Sequence, residues 1–250
     1  MGGHSHWSQI KRQKGASDAK RGQLFTKLAR EITVAARDGG GDPDMNPRLR
    51  LAIEKARESN MPLDTIERAI KRATGDAEAG QLLEGRFEGY GPNGVAIMVD
   101  VLTDNRNRTV AELRTALSRG GGSLGETGCV SWVFDSKGVL LIPLNGGDPD
   151  ELALLAIDSG AEDVQVQGDQ LEVYTAPNDI DTVRRALEEN GIRVGSAEIS
   201  QLPKNSVPLD EKSAGQVLKL LDTLEDLDDV QRVYSNAEFP EQVLMEYAGR

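Results

Sequence analysis

Residues 139–201 read VLLIPLNGGDPDELALLAIDSGAEDVQVQGDQLEVYTAPNDIDTVRRALEENGIRVGSAEISQ, and this stretch decides the fold. Short apolar or alternating runs at 139–142, 162–167, 170–175 and 193–201 predict strands. Longer patterns at 149–159 and 178–190 predict helices. The order is β-α-β-β-α-β, that of a ferredoxin-like unit.

Upstream of it, Gly85–Tyr90 and Val95–Leu102 predict strands joined by Gly91-Pro92-Asn93-Gly94. The polar stretch Thr103–Arg108 leads into a helix from Thr109 to Arg119, closed by a triple glycine. Val130–Phe134 predicts a strand, and Asp135-Ser136-Lys137-Gly138 predicts a turn into Val139. Downstream, Pro203–Pro208 reads as a linker before a helix (Asp210–Leu227) and a strand (Val230–Tyr234). One helix and one strand are too few for a domain. They are expected to complete the sheet begun within residues 84–134, which makes the ferredoxin-like unit an insertion.

Residues 1–17 show no amphipathic period and predict an extended arm. A helix is expected from Asp18 to Arg37, stopped by Gly39-Gly40-Gly41. Leu24, Phe25, Leu28, Ile32 and Ala35 share one face of it. Lys20, Lys27, Arg30 and Arg37 fall within an arc of roughly 100° away from that face. Asn46-Pro47 opens a second helix, to Ser59. Pro62 opens a third, with Ile66, Ala69, Ile70 and Ala73 turned inward. The expected architecture is multidomain, α and α+β. A basic arm and three-helix domain occupies 1–76, a discontinuous α+β domain 82–136 plus 205–245, and an inserted ferredoxin-like α+β domain 137–203.

Aromatic residues are 4% of the chain, so the cores must be built from Leu, Ile, Val and Ala. No apolar run approaches the ~20 residues needed to cross a bilayer. No secretory h-region is visible, and Cys129 is the only cysteine, so no intrachain disulfide can form. Gly2 does not make a myristoylation motif, because His6 stands where Ser or Thr is required. A cytoplasmic location is expected, with no membrane partner.

The net charge of −12 conceals an asymmetry. Residues 1–75 carry 15 Lys plus Arg against 9 Asp plus Glu, a net of +6, and the remainder carries −18. A basic end on an acidic body can contact phosphates with that end only.

Searches for catalytic chemistry fail. Gly89-Tyr90-Gly91-Pro92-Asn93-Gly94 fits a dinucleotide-binding glycine pattern, but a strand follows where a helix is required, so a hairpin turn is the reading. Cys129 has no histidine near it in sequence and reads as a structural thiol. The abundant carboxylates read as an acidic surface. Gly2-Gly3-His4 could hold Cu(II) or Ni(II) if Met1 is removed, but adventitious binding is the simpler account. No catalytic residue, cofactor, metal or small-molecule substrate is expected. The arm differs: Trp7 lies among Ser5, Ser8, Lys11, Arg12, Lys14, Lys20 and Arg21, an indole beside many cations, as backbone-tracking and base-stacking surfaces require. A Trp7 that docks the arm onto the helices is the competing reading. The candidate nucleic-acid-binding set is Ser5, Trp7, Lys11, Arg12, Lys14, Lys20, Arg21, Lys27, Arg30 and Arg37.

Several motifs in order along the chain resemble the YebC/PmpR family. They are Gly3-His4-Ser5-His6-Trp7 with Lys11 and Lys14, Asp18-Ala19-Lys20-Arg21-Gly22, Gly39-Gly40-Gly41-Asp42-Pro43, Asn46-Pro47-Arg48-Leu49-Arg50, Glu88–Gly94 and Leu102–Arg108. His6 stands where the family has Lys, and Gln13 where a cation is common, which trims the arm's charge. The resemblance implies a helical N-terminal domain and two α+β domains, one inserted in the other. It implies a DNA-binding transcriptional regulator. Mitochondrial relatives are translational activators, and bacterial members are linked to ribosomes translating proline-rich stretches. The alternative it carries is therefore a ribosome-associated translation factor that binds ribosomal RNA.

Overall fold

The computed structural model describes residues 18–75 and 82–248. The arm expected at 1–17 lies outside the described residues. Helices α1 (Asp18–Gly39), α2 (Pro47–Glu58) and α3 (Leu63–Thr74) form a bundle around Leu28, Ile32, Leu49, Ile53 and Ile66. Leu24, at the margin of the expected apolar face of α1, stays exposed, and Phe25 is half-buried. The Asn46 side chain accepts from the Leu49 backbone N–H and donates to the carbonyls of Ala35 and Gly40. One buried amide thus starts α2 and fixes it to the end of α1.

An outer sheet follows, in the order β3-β1-β2-β9, from β1 (Leu83–Tyr90), β2 (Ala96–Thr103), β3 (Ser123–Leu124) and β9 (Val230–Ser235). All its pairings are antiparallel, and β1 and β2 form a hairpin through Pro92–Gly94, where Asn93 and Gly94 take positive φ. One face of this sheet, with Ile97, Val99 and Val101, buries against α4 (Arg106–Arg119) and α7 (Glu211–Glu225). The other face, with Ala96, Met98 and Tyr234, packs on Val130, Val133 and Phe134. Three small elements near the C-terminus escape the sequence reading. Strands β8 (Val207–Pro208) and β10 (Ala237–Glu238) pair in parallel, and α8 (Glu241–Ala248) packs on α7.

Between β3 and α7 lies the second sheet, β5-β6-β4-β7, from β4 (Phe134–Pro143), β5 (Asp163–Gln167), β6 (Gln170–Thr175) and β7 (Ser196–Pro203). Helices α5 (Pro149–Asp158) and α6 (Ile180–Glu189) cover it over Leu140, Ile142, Leu171, Val173 and Leu187. This strand order, with every neighbour antiparallel, is the ferredoxin-like arrangement.

Three local expectations are corrected. Asp135–Gly138 is not a turn: β4 runs straight through it, because β7 pairs along it from Phe134↔Pro203 to Leu141↔Ser196. Gly138 is there for close approach, since a Cβ would sit 2.3 Å from Thr175 Oγ1. Residues 130–133 are not a strand but end in a single 3-10 turn at Ser131–Val133. The buried Glu88 carboxylate accepts backbone N–H bonds from Gly128, Val130 and Ser131 and bends the chain around itself. Helix α4 begins three residues early, at Arg106, because the Asn105 side chain accepts from the Arg108 N–H as N-cap.

Candidate nucleic-acid interface

Helix α7 ends at Glu225 in a run of acids, Glu225, Asp226, Asp228 and Asp229, with no basic residue in its own last turn. A helix C-terminus already carries partial negative charge and unsatisfied carbonyls, so this end needs donors from elsewhere. Helix α1 supplies them. Lys27 Nζ donates to the Glu225 carbonyl, and Gln23 Nε2 to the Asp226 carbonyl at 2.6 Å. Arg30 donates to the Asp228 carbonyl at 2.8 Å and to Asp229 Oδ1 at 3.1 Å.

Asp229 is the centre of this junction. Its side chain is 3% exposed, and Oδ2 accepts from Arg108 at 2.7 Å, from Thr109 Oγ1 at 2.8 Å and from Thr103 Oγ1 at 3.1 Å. Burial alone would raise its pKa. The hydrogen bonds from Arg108, Thr109 and Thr103 override that and hold the carboxyl below its ordinary range. The stretch Thr103–Thr109, polar and unexplained in the sequence, thereby locks β2, α4, the end of α7 and α1 together.

A second set of charges closes the cleft of about 680 Å³ between the bundle and the two sheets. Glu31 accepts from Arg232 at 3.0 Å and lies 3.8 Å from Lys55, which is also 3.8 Å from Glu198. Burial would raise the Glu31 pKa, but Lys55 and Arg232 bring it below the usual value. Arg50–Asp181 and Arg184–Glu54 tie α2 to α6. Arg86 pairs bidentately with Asp100. The cleft is lined by cations, but ion pairs occupy them.

These interactions sort the sequence-predicted residues. Ser5, Trp7, Lys11, Arg12 and Lys14 lie outside the described residues, and so does the Lys20 side chain. Arg21 is exposed near the start of α1. Lys27 and Arg30 are turned onto the end of α7 rather than outward. Arg37 donates to Asp38 at 2.9 Å and to the Leu82 carbonyl at 2.8 Å. The spacing of cations puts a basic stripe on α1, and the fold uses most of that stripe internally.

Other cations take the outward position. Arg57 at the end of α2, and Lys71 and Arg72 in the last turn of α3, are exposed with no ion pair among the described residues. Sequence reasoning missed Arg57, Lys71 and Arg72 because basic residues near a helix C-terminus serve the helix dipole equally well. Arg68, one turn earlier on α3, pairs with Asp64 on the surface.

Among the described residues no cluster of His, Cys, Asp or Glu could hold a metal, and no helix is long and apolar enough to cross a membrane. Burial, with Glu88 second, pushes the Cys129 thiol up, opposite to the shift that activates a nucleophile.

The model of the TACO1/YebC protein N-terminal domain matches residues 5–76, and that of the TACO1/YebC second and third domain matches residues 82–237. A protein of Dehalococcoides mccartyi named probable transcriptional regulatory protein is 56% identical over 247 residues, covering 99% of this chain and 98% of its own. One of Rubrobacter xylanophilus with the same name is 53% identical over the full length of both. The crystal structure of a conserved hypothetical protein from Aquifex aeolicus superposes with a TM-score of 0.86 at 48% identity, over 94% of this chain and 98% of that one. The chain therefore belongs to the TACO1/YebC family.

Proposed function

We propose that this protein is a cytoplasmic, non-enzymatic regulator of gene expression that binds nucleic acid through its N-terminal domain. The observation that carries the reading is the charge division, +6 over residues 1–75 against −18 over the rest. Phosphates are attracted to one end and repelled by the other. The names of the relatives, probable transcriptional regulatory proteins, support a regulator. Lys11, Arg12, Lys14, Lys20 and Arg21 supply cations before and at the start of α1, with Ser5 and Trp7 beside them. Arg57, Lys71 and Arg72 extend the set onto α2 and α3.

One observation favours RNA on the ribosome over DNA sites as the target. Sequence reading in a DNA groove needs Asn, Gln or Arg aimed at base edges. Helices α2 and α3 contain no Asn or Gln, and Gln23 of α1 is engaged by Asp226. The Arg residues of α2 and α3 could read guanine, but with no Asn or Gln these helices lack the bidentate adenine readers, and their Lys and Arg suit phosphate contact.

Changing Lys11, Lys14, Lys20 and Arg21 together to Ala is expected to flatten the slope of log K against log salt by roughly 0.7–0.9 for each phosphate no longer held. An unchanged slope would place the interface elsewhere. Co-sedimentation with ribosomes, at a salt concentration that abolishes binding to duplex DNA, separates the two targets. A thousandfold preference for one promoter over scrambled DNA, without ribosome association, would leave the transcriptional reading standing alone.

A further inference from the structure

Helices α5 and α6 cover the same face of the inserted sheet, yet their outer surfaces differ. Helix α6 shows Thr182, Arg185, Glu188 and Glu189 to solvent, a normal polar exterior. It also docks on α2 through Arg184 and Asp181. Helix α5 shows Leu154, 68% exposed, and Ile157, 45% exposed, which are neighbours three residues apart on one face. Val166 on β5 is 53% exposed, and β5 is an edge strand of the sheet. Val166 pairs with the fully buried Leu171 and shares a strand face with Val164, which packs in the core beneath the helices. The three side chains therefore lie on the helix-covered side of the sheet, at its open margin. Single exposed aliphatics are ordinary, but a group of them on one margin marks a contact surface.

The charge around this group states what covers it. Between Lys137 and Arg184 the chain has no Lys, Arg or His and ten Asp plus Glu. Glu151 and Asp158 flank Leu154 on α5 itself and are exposed, whereas at β5 Glu162 is paired with Lys137 and Asp163 lies opposite Tyr174 on the other face of the sheet. A nucleic acid or an anionic membrane is repelled by such a rim. A second copy meeting α5 face to face would bring like charges together with no cation in the segment to offset them.

We propose that the outer face of α5, with the edge strand β5, is a docking surface for a cationic amphipathic segment of a partner protein. The apolar side of that segment seats on Leu154, Ile157 and Val166, and its Lys and Arg meet Glu151 and Asp158. This inference does not rest on the nucleic-acid reading, because it concerns a surface of the opposite charge in a different domain.

The test uses the full chain and a labelled peptide of about 15 residues, Leu and Lys at helical spacing, long enough to fold on contact. Two further peptides serve as controls, one with Ser replacing every Leu and one with Glu replacing every Lys. The Leu/Lys peptide is expected to bind at least tenfold more tightly than either control. Amide shifts should move at residues 150–158 and 163–167. Leu154→Ser with Ile157→Ser should weaken binding at least tenfold. Glu151→Lys with Asp158→Lys should do the same, and remains informative if the apolar variant is destabilised, because both acids are at the surface. Equal binding of the Ser peptide, or wild-type affinity in the charge-reversed variant, would overturn the proposal. So would self-association of the wild-type chain that disappears in the Leu154→Ser, Ile157→Ser variant.

Discussion

Helices α1 and α3 belong to one bundle, and each carries Lys and Arg at helical spacing on the side away from its core. On α1 the cations Lys27 and Arg30 meet the acidic end of α7, delivered by a segment some two hundred residues along the chain. On α3 no acid arrives among the described residues, and Lys71 and Arg72 are exposed. The difference lies in neither helix. It lies in which distant element arrives, so a cationic stripe indicates attraction for negative charge without saying whether that charge is foreign or the chain's own.

The largest effect should come from Asp229, where the α1 junction is most buried. Asp229→Ala removes four hydrogen bonds, from Arg108, Arg30, Thr103 and Thr109, leaving Arg30 the Asp228 carbonyl and Arg108 the exposed Asp104. At about 1 kcal/mol each, their loss is expected to cost about 3–5 kcal/mol in urea unfolding. Its pH dependence has a definite sign. Because the folded carboxyl titrates below its ordinary value, its contribution is complete above the unfolded pKa of about 3.9 and is lost as pH falls through the lower folded value. The variant should therefore lose less stability than the wild type on acidification below that point. Equal acid sensitivity in the two proteins would mean that the junction carries no such linkage.

Next in size, Leu28→Ala should cost about 2–5 kcal/mol, since Leu28 is buried in the bundle. Its neighbour Lys27 sharpens the comparison. A solvent-facing lysine would change stability by less than about 0.5 kcal/mol on substitution by Ala. A lysine that caps α7 should cost about 1 kcal/mol, the scale of a cation at a helix C-terminus. A loss indistinguishable from zero would break the contrast between α1 and α3.

The smallest expected change in stability is at α3. Lys71→Ala with Arg72→Ala should alter unfolding by no more than about 0.5 kcal/mol per site. It should nonetheless reduce the salt slope of nucleic-acid binding by roughly 0.7–0.9 for each phosphate that the variant ceases to neutralise. If Lys27→Ala lowers that slope while the α3 pair does not, the phosphate-facing side has been assigned to the wrong helix.

Much of the fold was legible because local signals and tertiary structure agree. Asn46-Pro47 starts α2, the triple glycine ends α1, and the alternation after Asp163 marks two strands of a hairpin. The failures occur where a distant partner outweighs local chemistry. Asp135-Ser136-Lys137-Gly138 has turn composition, but an eight-residue pairing with β7 holds it extended. Val130–Phe134 has strand composition, but the Glu88 carboxylate, some forty residues earlier, gathers the Val130 and Ser131 N–H groups into a turn. The same holds for the candidate site: charge asymmetry and the bundle were readable, but Lys27 and Arg30 could not be assigned without knowing where α7 ends.

The insertion also governs the order in which the chain can assemble. Strand β2 pairs with β9, as at Val99↔Val233, so the outer sheet waits for residues made long after its hairpin. The inserted sheet needs only its own strands, and its first and last residues, Phe134 and Pro203, are paired neighbours. Once folded, it acts toward the outer sheet as a short connection rather than a long coil. That removes roughly half of the loop which β2 and β9 must close, about 0.6 kcal/mol in chain entropy. The equilibrium gain is small, and the kinetic consequence is larger. During synthesis the inner unit can form first, while the edge of β2 that will receive β9 stays open, and that edge is the surface most exposed to mispairing until β9 arrives.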